Sequence, residues 1–149
     1  MASEAINISI KPEKIGLSYT DPQTDLMWTR NGNIAGKEMN WFDALAWVDN
    51  LNYAGFSDWR LPTVDEFWDF IERGDRKNTN SWSNDNPALW FNRNGFNNVL
   101  FGRYWTSNSC LSSSGNDCAK IMSTTGSKSK EELDEKICLY PIWPVRNYR

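Results

Sequence analysis

Two amphipathic helix patterns lie close together in the first half of the chain and set the fold class. In the first, Asn40 is a suitable N-cap, apolar residues then recur every three or four positions up to Leu51, and Gly55 ends the run. In the second, Thr63 and Glu66 match the capping box, and Gly74 is placed to end the helix. Strand-like segments precede and follow these helices without a regular alternation of strand and helix. This order predicts an α+β fold rather than a doubly wound parallel sheet.

The predicted strands are short and lie mostly in the last third of the chain. Alternating or β-rich composition predicts strands at residues 6–10, 25–29, 104–106, 119–123 and 137–140. The sign of charge alternates over residues 128–136, which is typical of a solvated hairpin end. The chain shows no internal repeat, and its 149 residues are suited to one domain over residues 1–149.

Charge and hydrophobicity argue against two classes of partner. The net charge is −3, and lysines and arginines are scattered among acids, whereas a nucleic-acid-binding domain needs a basic stripe. No run approaches the roughly 20 apolar residues that span a bilayer, so we expect no membrane insertion. Residues 1–5 have neither the basic nor the apolar region of a signal peptide. The chain is therefore either cytoplasmic or a mature form from which a signal has been removed.

The cysteine and histidine content narrows the chemistry. Cys110, Cys118 and Cys138 are an odd number, so at most one disulfide forms and one thiol stays free. The chain has no histidine, which excludes Ser–His and Cys–His catalysis and zinc sites that mix cysteine with histidine. Paired carboxylates that act on a glycoside stay open, since the chain has 19 acidic residues. We expect no cofactor and no metal.

A stretch rich in asparagine and aromatic residues, at residues 75–102, is the candidate ligand-binding region. Asparagine favours turns, so we expect no long regular element here, and loops of this length are usually functional or built from small turns. Sugar recognition requires an aromatic face for the C–H side of a pyranose and amides or carboxylates for its hydroxyl groups. Both occur at close spacing in the predicted site, which comprises Trp82, Asn84, Asp85, Asn86, Trp90 and Asn92. The alternative is a solvated loop that its aromatic residues hold in place.

The string Asp58-Trp59-Arg60 between the two helices admits two interpretations. An acid, a ring and a guanidinium could together grip a sugar. A segment that joins two helices more often fixes the angle between them. We therefore predict that Arg60 pairs with a carboxylate or with helix carbonyls and that Trp59 is buried. We also expect five tryptophans in the core, namely Trp28, Trp41, Trp47, Trp68 and Trp105.

Ordered motifs along the chain resemble those of one protein family. They read TDPQTDLMW at residues 20–28, WFDALA at 41–46, AGFSDWRLP at 54–62, YWTS at 104–107 and PVR at 144–146. On these motifs the chain resembles the bacterial Lcl C-terminal domain family (DUF1566) over residues 17–146. The string at residues 58–62 is the most specific part of the match.

The resemblance implies a C-type-lectin-like α+β fold, in which two helices flank a small twisted, mostly antiparallel sheet with long loops. In that fold the first and last strands of the chain pair. Asp25 stands where many relatives have glycine, so the local turn can differ. Val48 and Pro144 stand where many relatives have cysteines, which suggests that an apolar contact replaces a disulfide.

The resemblance also implies a bacterial surface or secreted setting, commonly as a module of an adhesin-like protein, and some relatives bind sulfated or other polysaccharides. We therefore expect a non-catalytic, extracellular or surface domain that binds a polysaccharide, with a cytoplasmic location still open. A protein-interaction or display module is the alternative, with a surface protein or a second copy of the chain as partner. An enzyme is the weaker alternative. Residues 60–67 resemble formylglycine-generating enzymes, but the cysteine pair that those enzymes need is not reproduced.

Overall fold

Helices and antiparallel strands follow one another without βαβ alternation, which confirms the predicted α+β class. The computed structural model describes residues 16–77, 86–111, 117–126 and 129–148. The elements in chain order are β1 (Ser18–Asp21), β2 (Leu26–Thr29), α1 (Trp41–Asp49), α2 (Val64–Lys77), α3 (Pro87–Arg93), β3 (Arg103–Leu111), β4 (Asp117–Ser123), β5 (Leu133–Glu135) and β6 (Val145–Asn147). Among the residues described, no helix has the length and apolar character that crossing a membrane requires.

The first sheet has the strand order β1–β2–β6 and is antiparallel throughout. β1 and β2 form a hairpin, and in its turn the amide of Asp25 donates to the carbonyl of Asp21 at 2.9 Å. β6 adds to the other edge of β2 and places Arg146 opposite Met27. The last strand thus pairs with β2, whereas the first predicted strand, at residues 6–10, lies outside the described residues, so its pairing stays a prediction. The hairpin uses one edge of β2, and β6 occupies the other.

The second sheet has the strand order β3–β4–β5, with an irregularity in β3 between Trp105 and Ser109. A disulfide joins Cys110 of β3 to Cys118 of β4, and these two residues are also paired across the strands. Cys138 is a free thiol. The prediction of at most one disulfide and one free cysteine is therefore confirmed.

Two clusters of buried side chains form the core, and they differ in composition. The aromatic core lies under α2 and α3 and contains Trp28, Phe67, Phe70, Phe91, Phe96, Tyr104 and Trp143. The second core lies against α1 and contains Met27, Met39, Trp41, Val48, Trp59, Leu61, Trp105, Ile121 and Ile142. Trp28, Trp41 and Trp105 are buried as predicted, whereas Trp47 and Trp68 are only partly buried and pack against the edges of the cores.

Both helix starts are confirmed, because each depends on hydrogen bonds between residues close in sequence. The side chain of Asn40 accepts from the amide of Asp43 at 2.8 Å. In the capping box, the Glu66 amide donates to the Thr63 hydroxyl at 3.2 Å, and the Thr63 amide donates to the Glu66 carboxylate at 2.9 Å. These bonds satisfy amide groups that a helix N-terminus leaves without partners.

Both predicted helix ends are wrong. α1 ends at Asp49, so Leu51 lies beyond it, and α2 continues through Gly74 to Lys77. Glycine inside a helix costs only about 1 kcal/mol relative to alanine, so Gly74 by itself is a weak signal for the end of α2.

Residues 137–140 do not form a strand. The amide of Cys138 donates back to the carbonyl of Glu135 at 2.9 Å, which makes a turn there. The strand β5 instead lies at Leu133–Glu135, inside the segment predicted as a solvated hairpin end. Residues 6–10 lie outside the described residues.

Candidate functional site

The predicted ligand-binding residues fall into two groups. Trp82, Asn84 and Asp85 lie outside the described residues. Asn86, Trp90 and Asn92 lie at the start of α3 or within it, and this helix interrupts the asparagine-rich stretch. α3 has only seven residues, which agrees with the expectation that this stretch has no long regular element.

Asn86 and Asn92 both use their amide groups to hold the local backbone. The Asn86 side chain caps α3 and accepts from the amide of Leu89 at 2.9 Å. The Asn92 side chain makes two bonds to the backbone of Val99, donating to its carbonyl and accepting from its amide, each at 2.9 Å. These bonds fix α3 and the chain that follows it. Ligand binding by these two residues stays a prediction.

Trp90 lines a pocket of about 340 Å³, which we call the Trp90 pocket. β1, α2, α3 and the segment after α3 all contribute to its walls. Its other lining residues are Tyr19, Phe70, Arg73, Phe91, Asn94 and Phe96. The structure thus joins Trp90 to three other residues of the predicted region 75–102 and to three that the sequence did not indicate, namely Tyr19, Phe70 and Arg73.

Packed rings of the aromatic core support the Trp90 pocket from below. Phe70 stacks on the fully buried Trp28, with ring centroids 4.2 Å apart and planes 8° from parallel. Phe91 contacts Phe70 at 4.8 Å and meets Trp90 edge to face at 5.2 Å. Offset-stacked and edge-to-face contacts of this kind are favourable beyond the apolar area they bury. The floor of the pocket is therefore held by many mutual contacts, whereas Trp90 itself stays partly exposed.

A buried ion pair joins the Trp90 pocket to the first sheet. Arg73 of α2 donates to both carboxylate oxygens of Asp21, one of these bonds being 2.7 Å long. Asp21 has no exposed surface, and it also accepts from the amide of Gln23 at 3.0 Å and from the hydroxyl of Thr24 at 2.9 Å. Burial alone would raise the pKa of Asp21, but the bonds from Arg73, Gln23 and Thr24 outweigh burial and lower it. Asp21 is therefore ionised at neutral pH.

Asn94 supplies the neutral polar group of the Trp90 pocket. Its side-chain nitrogen donates to the carbonyl of Trp90 at 2.7 Å, which fixes the orientation of the amide. Its amide oxygen has no hydrogen-bond partner within the part of the chain that the structure describes. A ligand hydroxyl group can therefore donate to that oxygen without displacing an internal bond.

The segment between the two helices is the other site that the sequence singled out, and we call Asp58, Trp59 and Arg60 the helix junction. Trp59 is 3% exposed, and its indole N–H donates to the carbonyl of Tyr53 at 3.0 Å. Arg60 donates to both carboxylate oxygens of Glu66, each at 2.8 Å. The prediction that Arg60 pairs with a carboxylate and that Trp59 is buried is confirmed.

The helix junction also ties the end of the chain to the second core. Asp58 accepts two bonds from Arg146 of β6, at 2.5 and 3.1 Å, and the Arg146 guanidinium lies 3.8 Å from the centroid of the Phe56 ring. Arg60 donates to the side chain of Asn147 at 2.7 Å. These contacts join the segment between α1 and α2 to β6, which is a structural role.

The sequence profile of the Lcl C-terminal domain family matches residues 18–146. The chain belongs to this family. No curated protein matches the chain. The matched region of this Lcl C-terminal domain includes both the helix junction and the Trp90 pocket.

Two departures from the common pattern of Lcl C-terminal domains have a structural outcome. Asp25, where many relatives have glycine, has a φ of 56°, which is the left-handed conformation that glycine adopts most easily. The hairpin turn therefore takes a glycine-like backbone despite the substitution. Val48 and Pro144, where many relatives have cysteines, are both buried.

In this Lcl C-terminal domain, no group of three or more cysteine or acidic side chains within the described ranges is arranged to hold a metal ion. The chemistry that the Trp90 pocket offers is instead apolar contact from several rings, an amide oxygen and an arginine already paired with an acid. That combination is suited to holding a ligand.

Proposed function

We propose that this domain binds carbohydrate, without catalysis, in the Trp90 pocket. The observation that carries the proposal is the partly exposed indole of Trp90 in a pocket whose remaining walls are mostly aromatic. A pyranose has an apolar face of C–H groups, and an aromatic ring is the protein surface that fits that face. Ligand pockets are usually lined in this way, with a few polar groups that fix the orientation of the ligand.

Size and polar groups support the same proposal. A volume of about 340 Å³ lies at the small end of ligand pockets, which span roughly 300–1,000 Å³. Such a volume suits one or two sugar units, so a longer chain would extend over the surface beyond the pocket. The amide oxygen of Asn94 supplies an acceptor for a sugar hydroxyl group.

We also propose an extracellular or surface location, in keeping with an adhesin-like role. The disulfide between Cys110 and Cys118 supports this part of the proposal. Disulfides persist in oxidising compartments, and the reducing cytosol rarely keeps structural ones.

The experiment is a glycan array of neutral and acidic polysaccharides, probed with wild type, Trp90→Ala and Trp68→Ala. Trp68 is the matched control, since it is also partly buried against the aromatic core but does not line the pocket. We expect selective binding by wild type, at least a tenfold loss in Trp90→Ala and near wild-type binding in Trp68→Ala. Circular dichroism of both variants checks that they are folded.

Two results would overturn the proposal. Wild type that binds no glycan on the array would argue for the protein-interaction alternative. Glycan binding that survives in folded Trp90→Ala would place the binding site elsewhere on the domain.

A further inference from the structure

A second partly buried tryptophan lines a depression at the surface, beside the other core. Trp47 of α1 packs against the second core, whereas Trp90 packs against the aromatic core. The depression has a volume of about 520 Å³ and shares no residue with the Trp90 pocket, and we call it the Trp47 groove. All of its lining residues lie between residues 37 and 52, and the structure describes the chain on both sides of this segment, from residue 16 to residue 77.

The indole N–H of Trp47 differs from those of the other tryptophans in the second core. Trp41, Trp59 and Trp105 each donate to a backbone carbonyl, at 2.9, 3.0 and 2.8 Å respectively. Within the described residues, the N–H of Trp47 has no such partner. A buried indole N–H usually finds a partner inside the protein. That of Trp47 is instead left for water or for a ligand in the groove.

Two asparagines supply neutral polar groups to the Trp47 groove. The side-chain nitrogen of Asn50 donates to the carbonyl of Ala46 at 2.8 Å, which fixes the orientation of the amide. The amide oxygen of Asn50 has no partner in the part of the chain that the structure describes, and neither has the exposed side chain of Asn52. Both side chains can therefore bond to a ligand hydroxyl group without breaking an internal bond.

One residue of each charge adds to this set. The exposed carboxylate of Asp43 accepts a bond from the side chain of Asn40 at 3.2 Å, and a carboxylate has room for further donors. Lys37 is exposed and has no ion-pair partner among the described residues. Its ammonium group donates up to three bonds. The groove thus offers acceptors and donors around one aromatic ring.

We infer that the Trp47 groove is a second carbohydrate-binding site, so that one domain carries two. The inference rests on the proposed carbohydrate-binding function and adds a site to it. Both sites combine a partly buried indole with an asparagine whose nitrogen is held by a backbone carbonyl and whose oxygen is free, namely Asn94 in one and Asn50 in the other. The volume of the groove lies within the roughly 300–1,000 Å³ of ligand pockets.

The test uses an array of immobilised neutral and acidic polysaccharides, probed with wild type, Trp47→Ala, Trp90→Ala, the double variant and Trp68→Ala. Two sites on one domain engage a dense polysaccharide surface together, and loss of either removes the gain from joint binding. We therefore expect each single variant of Trp47 and Trp90 to bind at least about tenfold more weakly than wild type. The double variant should fall to background, and the control Trp68→Ala, which does not line the groove, should bind like wild type.

The outcomes separate this inference from the proposed function. Wild-type affinity in Trp47→Ala, together with lost binding in Trp90→Ala, would overturn the inference and leave the Trp90 pocket as the binding site. Lost binding in Trp47→Ala, together with undiminished binding in Trp90→Ala, would support the Trp47 groove and overturn the assignment to the Trp90 pocket. Silence of the wild-type domain towards every polysaccharide would overturn both.

Asn52→Ala gives a second readout that does not disturb the core. The side chain of Asn52 is exposed and bonds to no described residue, so its loss should leave the urea midpoint unchanged. We expect polysaccharide binding about fivefold weaker than that of wild type, which is the effect of one neutral hydrogen bond. Unchanged binding in Asn52→Ala would contradict its place in the site, and a lowered urea midpoint would show that Asn52 has a structural role instead.

Discussion

The helix junction and the Trp90 pocket contain the same kinds of residue, yet they differ in which part is buried. Each has a tryptophan and an arginine paired with a carboxylate. At the helix junction the ring of Trp59 is inside and the pair of Arg60 with Glu66 is partly exposed, with 38% and 23% of the two side chains accessible. At the pocket the pair of Arg73 with Asp21 is inside and the ring of Trp90 is partly exposed. Residue types alone therefore do not distinguish a buried helix junction from a pocket at the surface.

The difference assigns a separate role to each tryptophan. Trp59 fills the second core and donates its N–H to a backbone carbonyl, and only 3% of it is exposed. Trp90 packs against the aromatic core on one side and lines the pocket on the other. We therefore expect substitutions at the helix junction to change stability, and substitution of Trp90 to change binding more than stability.

The largest expected effect is that of Trp59→Ala. Replacing a buried tryptophan by alanine leaves a cavity and costs about 3–5 kcal/mol of the free energy of unfolding. Trp90→Ala removes a ring that is only partly buried, and we expect a cost of roughly 1 kcal/mol. Urea denaturation measures both values, and equal losses in the two variants would contradict the comparison.

The next largest effect concerns the two ion pairs. Asp21→Asn leaves Arg73 without its buried counter-charge, and breaking such a pair costs on the order of 3 kcal/mol. Glu66→Gln is the matched change at the helix junction. It keeps an acceptor for the capping box and alters a pair that is exposed enough to contribute about 1 kcal/mol or less. A loss at Glu66 as large as that at Asp21 would show that exposure does not separate the two sites.

The pH dependence of stability offers a second way to compare the two ion pairs. At Glu66, burial would raise the pKa, but the bonds from Arg60 and Thr63 outweigh burial and lower it, as the bonds from Arg73 lower the pKa of Asp21. A carboxylate whose pKa is lower in the folded state stabilises the fold above its unfolded pKa, which is about 4, and loses that contribution as pH falls through the folded pKa. We therefore expect urea midpoints to fall below about pH 4.

Two variants identify which carboxylate causes the loss of stability at acid pH. Because the bonds to Asp21 are buried, its carboxylate should account for more of the loss of stability in acid than that of Glu66. The fall in urea midpoint from pH 6 downwards should therefore be shallower in Asp21→Asn, which lacks this carboxylate, than in Glu66→Gln. Identical acid profiles in wild type and Asp21→Asn would contradict a stabilising ionised Asp21.

The smallest effect concerns the turn that carries Asp21. Asp25 has a left-handed backbone conformation, which glycine adopts without steric cost and alanine does not. We expect Asp25→Gly to raise the free energy of unfolding by about 0.5 kcal/mol and Asp25→Ala to lower it by about 1 kcal/mol. Thermal denaturation of the two variants checks the order. Alanine as stable as glycine would show that the turn relaxes.

What the sequence predicted correctly is local. The N-cap at Asn40 and the capping box of Thr63 and Glu66 depend on residues three positions apart, so their pattern is visible in the chain. The burial of Trp59 and the pairing of Arg60 followed from their position between two helices. Helix ends were missed because a single glycine is a weak stop signal, as at Gly74, which α2 passes through.

The Trp90 pocket could not be predicted in full, since its walls come from distant parts of the chain. Tyr19 of β1, Arg73 of α2 and Phe96 after α3 meet only once the first sheet packs against the two helices. The sequence pointed to the amides of Asn86 and Asn92, which bond to nearby backbone, and ligand binding by them stays a prediction. No local signal distinguishes an asparagine that caps a helix from one that binds a ligand.

The most direct test of the central claim follows the indole N–H signals of the tryptophans by NMR during titration with the glycan that gives the strongest array signal. Trp90→Phe and Trp59→Phe variants assign the two signals. We expect the Trp90 signal to shift with saturation and the Trp59 signal, whose N–H is bonded to the carbonyl of Tyr53, to stay in place. A shift of Trp59 while Trp90 is unmoved would contradict the assignment of binding to the Trp90 pocket.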